Sequence, residues 1–111
     1  MGSTKTYLDF ILDQLSGLEG ITFRPMMGEY ILYCGGKIFG GIYDDRFLVK
    51  DIPAARRLMP DAVHELPYEG AKAMLSVTDV DDRDFLTRLV NAMAEALPEP
   101  KKKKRKSGDE G

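Results

Sequence analysis

The feature that most constrains the fold of this chain is a succession of three β-prone runs joined by two-residue turn sequences. The runs occupy residues 29–34, 37–43 and 46–50, and the connections are Gly35-Gly36 and Asp44-Asp45. Pairs of glycine or aspartate favour the tight turns of β-hairpins. The middle of the chain is therefore predicted to form an antiparallel meander.

Two features modify the predicted sheet. Ile21 and Phe23 alternate with polar residues and predict a short strand, which Pro25 interrupts, so this strand should lie at an edge or end in a bulge. Gly40-Gly41 lies inside a predicted strand, where glycine is unfavourable, and indicates a bulge or the close approach of another element. Close packing against the first helix is the simpler explanation of these glycines.

Amphipathic helices are predicted at both ends of the folded region. Apolar residues at spacings of three and four predict a first helix over residues 4–17, with Ser3 or Thr4 as its N-cap. The final helix is expected to begin at the acidic residues 79–82, which complement the helix dipole, and to end before Pro98.

The segment between the meander and the final helix combines a short helix with a strand. Asp51 lies in the predicted N-cap region, Pro53 in the first turn, and Pro60 is expected to end this helix. Residues 63–68 are expected to be irregular or weakly extended, and residues 73–77 to form a strand. The order α-β-β-β-β-α-β-α predicts an α+β two-layer domain with an antiparallel sheet and flanking helices.

Length and charge divide the chain into a body and a tail. The 111 residues suffice for one domain, expected over residues 1–98. Residues 1–100 contain ten basic and sixteen acidic residues, a net charge of −6. Residues 99–111 are expected to be a disordered basic tail. Its six consecutive basic residues are Lys101, Lys102, Lys103, Lys104, Arg105 and Lys106.

The basic run has several interpretations. It is expected to bind nucleic acid weakly, without sequence preference and with strong salt dependence, because it neutralises phosphates. Contact with an anionic membrane surface, association with the acidic body and simple solvation of the terminus are the alternatives.

Composition excludes several classes of protein. No window contains the roughly 18 apolar residues of a membrane-spanning helix, and the N-terminus lacks the apolar segment of a signal peptide. The single cysteine, Cys34, cannot form an internal disulfide. We therefore expect a cytoplasmic protein without a membrane span.

The sequence offers no catalytic constellation. His64, the only histidine, has no partner at metal-ligand spacing, and Cys34 is expected to be a buried, inert thiol. The glycine pairs lack the spacing of a phosphate-binding loop or a dinucleotide fingerprint. The expectation is a protein that is not an enzyme and has no metal or cofactor.

Short motifs follow one another through the meander in a fixed order. They are Arg24-Pro25-Met26-Met27-Gly28-Glu29-Tyr30, Leu32-Tyr33, Gly36-Lys37-Ile38-Phe39, Ile42-Tyr43-Asp44-Asp45-Arg46 and Leu48-Val49-Lys50, with Leu66-Pro67-Tyr68 downstream. Together they resemble the TfoX N-terminal domain family over about residues 20–98. The matching positions are Arg24, Met26, Gly28, Tyr30, Gly36, Lys37, Phe39 and Lys50.

The resemblance implies a bacterial protein with a two-layer α+β domain of the secretion-chaperone-like type. Full-length members, also called Sxy, regulate natural competence together with the cyclic-AMP receptor protein at promoters, and they carry a second, helical domain. Since this chain ends at residue 111, a stand-alone N-terminal domain is expected. Met27 departs from the phenylalanine usual in the family, and Glu29 from a glycine.

Two functions from different classes follow. The first is a non-enzymatic regulatory or adaptor domain that contacts an unknown protein partner, with a homodimer through the sheet or final helix as a variant. The alternative is a small-molecule or anion-binding domain, or an enzyme, with a site near Arg24, Tyr30 and Lys50. Otherwise Arg24 and Lys50 are expected to bridge surface acids such as Asp51 or Glu29.

Overall fold

A computed structural model describes residues 4–98, which form a single six-stranded antiparallel sheet and three helices. The strand order is β1-β2-β3-β4-β6-β5, so β1 and β5 are the edges. The predicted tail, residues 99–111, lies outside the described residues. The elements are α1 (Lys5–Gln14), β1 (Ile21–Met26), β2 (Glu29–Cys34), β3 (Lys37–Ile42), β4 (Phe47–Val49), α2 (Pro53–Leu58), β5 (His64–Glu65), β6 (Met74–Ser76) and α3 (Arg83–Ala96).

Three two-residue turns of one kind set the register of the first four strands. Both central residues have positive φ in Met27-Gly28 (53° and 86°), Gly35-Gly36 (60° and 83°) and Asp44-Asp45 (54° and 56°). Two successive positive φ angles define the type I′ turn, whose twist matches that of the flanking strands. The predicted meander is confirmed, and the Met27-Gly28 hairpin adds β1 to it.

The predicted edge position of β1 is confirmed, but Pro25 does not interrupt the strand, contrary to prediction. The strand continues to Met26, which pairs with Glu29 across the turn, and Pro25 pairs with Tyr30. Residues that flank a two-residue turn exchange hydrogen bonds, so the next pair along the strand does not. The N–H that Pro25 lacks would therefore point away from β2, toward the open edge of the sheet, where its loss is tolerated.

The helix caps were predicted in part. Thr4 caps α1 by accepting a hydrogen bond from the Tyr7 amide, and Asp82 caps α3 in the same way. Asp51 is not the cap of α2; Ile52 occupies that position without a side-chain bond, and the Asp51 carboxylate is engaged by other partners.

A short strand, β5, also forms within the segment expected to be irregular or weakly extended.

One face of the sheet packs against the helices and forms the core. Large side chains from all layers are fully buried there, including Leu8 and Ile11 of α1, Leu32, Phe39 and Phe47 of the sheet, and Leu86, Leu89 and Met93 of α3. The predicted α+β domain with an antiparallel sheet is thus confirmed.

The glycine pair in β3 accompanies a β-bulge, as predicted. Leu32 pairs with Gly40 whereas Tyr33 pairs with Ile38, which leaves Phe39 as the extra residue. A Cβ atom on Gly40 would meet the backbone of Leu48 and Val49 in β4. The close approach therefore comes from the neighbouring strand, and the expected packing of these glycines against the first helix was wrong.

Candidate functional site on the second face of the sheet

The face of the sheet opposite the helices carries an exposed mixed surface on β1, β2 and β3. The strand register places Arg24 opposite Ile31, and Tyr33 opposite Ile38. Arg24 is exposed, Ile38 is 38% exposed, and Ile31 and Tyr33 are half-buried. We call these four residues the open patch. It presents one cation beside three apolar or aromatic side chains.

The three residues of the expected anion site do not come together. Arg24 and Tyr30 fall on opposite faces, because Arg24 pairs with Ile31 and side chains alternate along a strand. The Tyr30 ring instead contacts Phe23, with ring centroids 5.8 Å apart. Lys50 directly follows β4, which is three strand spacings, roughly 14 Å, from β1.

Arg24 and Lys50 also lack the acidic partners that were expected for them. Among residues 4–98, neither side chain makes a hydrogen bond or ion pair. Asp51 is bound by Arg56 and His64, and a Glu29 carboxylate oxygen accepts from the Asp44 amide at 3.0 Å. The expected surface bridges are therefore wrong, and both cations remain uncommitted on this part of the surface.

A groove of about 640 Å³ runs beside the open patch, between β3, β4 and the segment that leads into β6. The side chains that define it are Ile38, Tyr43, Lys50, Tyr68, Lys72 and Met74. Like Lys50, Lys72 is exposed and has no ion-pair partner within residues 4–98. The groove thus combines two uncommitted ammonium groups with two aromatic rings.

Tyr43 is the buried polar residue of this groove. Only 6% of it is exposed, and its hydroxyl has no hydrogen-bond partner within residues 4–98. Its ring lies over Gly41, where a Cβ atom would come within 2.7 Å of the ring, and the Tyr68 ring is 6.4 Å away. Burial is the main cause that raises the pKa of Tyr43, and the nearby Tyr68 and Glu29 raise it further. The hydroxyl therefore stays protonated at neutral pH.

A charge cluster borders the groove at Asp51. The Asp51 carboxylate accepts from the Arg56 guanidinium, at 2.9 Å for one nitrogen, and lies 2.9 Å from His64 Nε2. These hydrogen bonds, that of Arg56 foremost, lower the pKa of Asp51 from 3.8 to about 2. The cluster fastens the start of α2 to the β5 edge, and it neutralises the acid nearest Lys50.

Acid should weaken the fold by protonating Asp51. Because its pKa is lower in the folded state, the charged carboxylate stabilises the fold above about pH 4, and this contribution disappears as pH falls toward about 2. We expect Asp51→Asn to lower the urea midpoint of unfolding at pH 6. The difference in midpoint between the variant and the parent protein should disappear by pH 2. Asp61→Asn, which removes an exposed acid that makes no ion pair within residues 4–98, is the control. An equal difference in urea midpoint at both pH values would contradict this expectation.

The remaining candidates for chemistry have structural surroundings. Cys34 is buried, and burial raises the pKa of its thiol more than nearby Lys37 lowers it. His64 contacts Asp51 at the sheet edge. Within residues 4–98, no three His, Cys, Asp or Glu side chains are grouped so as to hold a metal ion. In the same range, no helix has the length and apolar character needed to cross a membrane.

Most of the other family-motif positions build the fold. Gly28 and Gly36 supply the second positive φ of their turns, and Phe39 fills the core at the bulge. Lys37 donates to the Ala94 carbonyl at 2.7 Å and so ties β3 to the last turn of α3. Met26 is half-buried at the end of β1.

The groove has only a weak signal in the sequence. Tyr43, Tyr68 and Lys72 are far apart in sequence, and no ligand-binding motif of known spacing joins them. Tyr43 did lie within a family motif, directly after the glycine-containing strand. A small residue two positions before an aromatic one was the available signal that a ring packs over the backbone there.

A known protein is similar in sequence to this chain along its whole length. The chain is 32% identical over 112 residues to a protein of Spirochaeta aurantia described as an uncharacterized 12.7 kDa protein in the trpE 5′ region. The alignment covers 100% of this chain and 97% of that protein. No solved structure matches the chain.

The family comparison covers the elements that form the sheet and its core. The TfoX N-terminal domain matches residues 13–96, a range that begins near the end of α1 and ends with α3. It includes both the open patch and the groove. With this match over most of its length, the chain belongs to the TfoX N-terminal domain family.

Proposed function

We propose that this chain is a non-enzymatic regulatory or adaptor domain of the bacterial cytoplasm that binds a protein through the open patch. The partner would present an apolar segment with at least one acidic side chain. A role connected with transcription or competence follows from the activity of full-length relatives with a second protein at promoters. The observation that carries the proposal is the open patch itself.

The composition of the open patch supports a protein partner. Tyrosine and arginine are enriched at protein interfaces, and centrally placed aromatic and arginine side chains carry much of the binding energy. Tyr33 and Ile38 form a cross-strand pair, and Arg24 lies beside Ile31 on the next strand. A segment laid across these strands would bury the apolar side chains in the same contact.

Charge supports an acidic segment. Residues 1–100 are net acidic, yet Arg24 has no ion-pair partner within the described residues. An acid of the partner would pair with the Arg24 guanidinium without displacing an internal ion pair. Residues 101–106, which lie outside the described residues, are proposed to add weak, salt-sensitive contact with nucleic acid.

The proposal predicts position-specific crosslinking in the native cell. A photoreactive benzoylphenylalanine in place of Tyr33 should give an adduct with one protein. The matched control is the same residue in place of Phe10, which is also aromatic and partly exposed but lies on α1. The adduct should persist when residues 101–106 are deleted, and Arg24→Glu should remove it. With the purified partner, Arg24→Glu should weaken binding about tenfold or more.

Other outcomes would count against the adaptor. Identical adducts from positions 10 and 33, or no adduct from position 33, would show that the open patch is not a contact site. Loss of the adduct only on deletion of residues 101–106 would assign the contact to the tail. An adduct with a second copy of the chain would replace the adaptor by a homodimer.

A further inference from the structure

The groove beside the open patch has the volume of a small-molecule site. Its volume of about 640 Å³ falls within the roughly 300 to 1,000 Å³ of typical ligand pockets. It is formed by three separate parts of the chain, with Ile38 from β3, Lys50 after β4, and Tyr68 and Lys72 before β6. It therefore exists only in the folded protein and has a defined lining.

A tyrosine whose hydroxyl has no protein hydrogen-bond partner among residues 4–98 lines this groove. Buried hydroxyl groups in folded proteins almost always have a hydrogen-bond partner, because an unpaired one is unfavourable. Tyr43 is 94% buried, lines the groove, and has no hydroxyl partner among residues 4–98. A bound acceptor would supply the missing partner, and the protonated phenol is available as a donor.

The charged side chains of the groove favour the binding of an anion. Lys50 and Lys72 both line it and are unpaired within the described residues. Asp51, the acid in the lining, is already bound by Arg56 and His64. Its negative charge is therefore offset, and the two ammonium groups leave the groove positive although the body of the protein is acidic.

The aromatic and aliphatic side chains of the groove favour a ligand that also has an apolar part. Tyr43 and Tyr68 present neighbouring rings with centroids 6.4 Å apart, and Ile38 and Met74 complete the apolar wall. An inorganic anion would leave these surfaces exposed to water. An aromatic or aliphatic body would cover them and gain from their burial.

We propose that the groove binds a small organic anion, with its phosphate or carboxylate held by Lys50, Lys72 and the Tyr43 hydroxyl and its apolar body against Tyr68 and Met74. This ligand site shares Ile38 with the open patch, but its charged and hydroxyl groups are different from those of the protein contact. Arg24, which the protein contact requires, lies outside the groove. Either proposal can therefore fail without the other.

The test is a residue-resolved titration of the full-length chain by ¹⁵N NMR with phenyl phosphate and benzoate. At least one should shift the amides of Gly41, Lys50 and Lys72 saturably, and the tighter of the two identifies the preferred anionic group. Inorganic phosphate and phenol, which are the halves of phenyl phosphate, should each bind at least about tenfold more weakly than the better ligand.

Variants separate groove binding from general attraction of anions. Lys50→Gln with Lys72→Gln should weaken binding at least about tenfold, and Tyr43→Phe about threefold to tenfold with the fold intact. Arg57→Gln with Arg88→Gln, at exposed positions of α2 and α3 outside the groove, removes the same charge and should leave affinity within about threefold. Equal losses in both double variants, no saturation of groove amides by about 10 mM ligand, or shifts confined to residues 101–106 would overturn the proposal.

Discussion

Replacing Phe39 with alanine is expected to lower the free energy of unfolding by about 3 to 5 kcal/mol. Phe39 is fully buried, and its ring meets Phe47 edge to face with centroids 6.4 Å apart. Truncation removes this aromatic contact and leaves a cavity between the sheet and the helices. Because a domain of this size is stable by only about 5 to 15 kcal/mol, the variant should be close to unfolding at physiological temperature.

Urea denaturation followed by circular dichroism measures this effect. Ile38→Ala is the matched control, since Ile38 is the preceding residue of the same strand but faces outward and is 38% exposed. It should cost less than about 1.5 kcal/mol. If the two variants lost equal stability, the bulge would not direct Phe39 into the core in the way described.

Replacing Gly40 with alanine should be destabilising by at least about 2 kcal/mol, near the upper end of the range for overpacked sites. A Cβ atom at Gly40 would lie 2.9 Å from the Val49 Cα atom and collide with the Leu48 carbonyl oxygen. These are backbone atoms of the paired strand β4, so no side-chain rotation relieves the clash. The expected consequence is separation of β3 from β4 at the bulge.

Gly17→Ala provides the control for this substitution. A Cβ atom there would have no neighbour within 4 Å, and Gly17 does not have a positive φ. This variant should change stability by less than about 1 kcal/mol, in the stabilising direction, because alanine restricts the unfolded chain. Wild-type stability in Gly40→Ala would show that β3 and β4 are farther apart than the structure places them.

The two faces of the sheet differ in what they do. The helix-covered face is filled by large apolar side chains and determines stability, and the two substitutions above act on it or on the strand pairing beside it. The opposite face holds Arg24, Lys50 and Lys72 without ion-pair partners within residues 4–98. Exposed cations of this kind contribute little to stability, so substitutions of these three residues should change binding and leave the fold intact.

The predicted helices and strands are confirmed where turn residues, caps and hydrophobic periodicity indicated the same element. The meander followed from Gly35-Gly36 and Asp44-Asp45, since positive φ angles at both central residues favour glycine and aspartate. The final helix, α3, followed from its apolar stripe and acidic cap. The errors at Pro25 and Asp51 have tertiary causes. Pro25 is tolerated because β1 is an edge strand, and Asp51 lies one residue before the Ile52 N-cap, with its carboxylate bound by Arg56 and His64.

The sequence by itself determined the α+β class, the hairpin turns, the bulge region and the family, because turn chemistry and hydrophobic periodicity act over a few residues. Only the tertiary structure decided which side chains share a surface. Arg24 and Tyr30 are only six residues apart, yet the alternation of side chains places them on opposite faces of the sheet. Strand order and the path into β6, in contrast, bring distant residues to one groove, namely Tyr43, Lys50, Tyr68 and Lys72. Such juxtapositions depend on contacts between distant segments, and no local pattern encodes them.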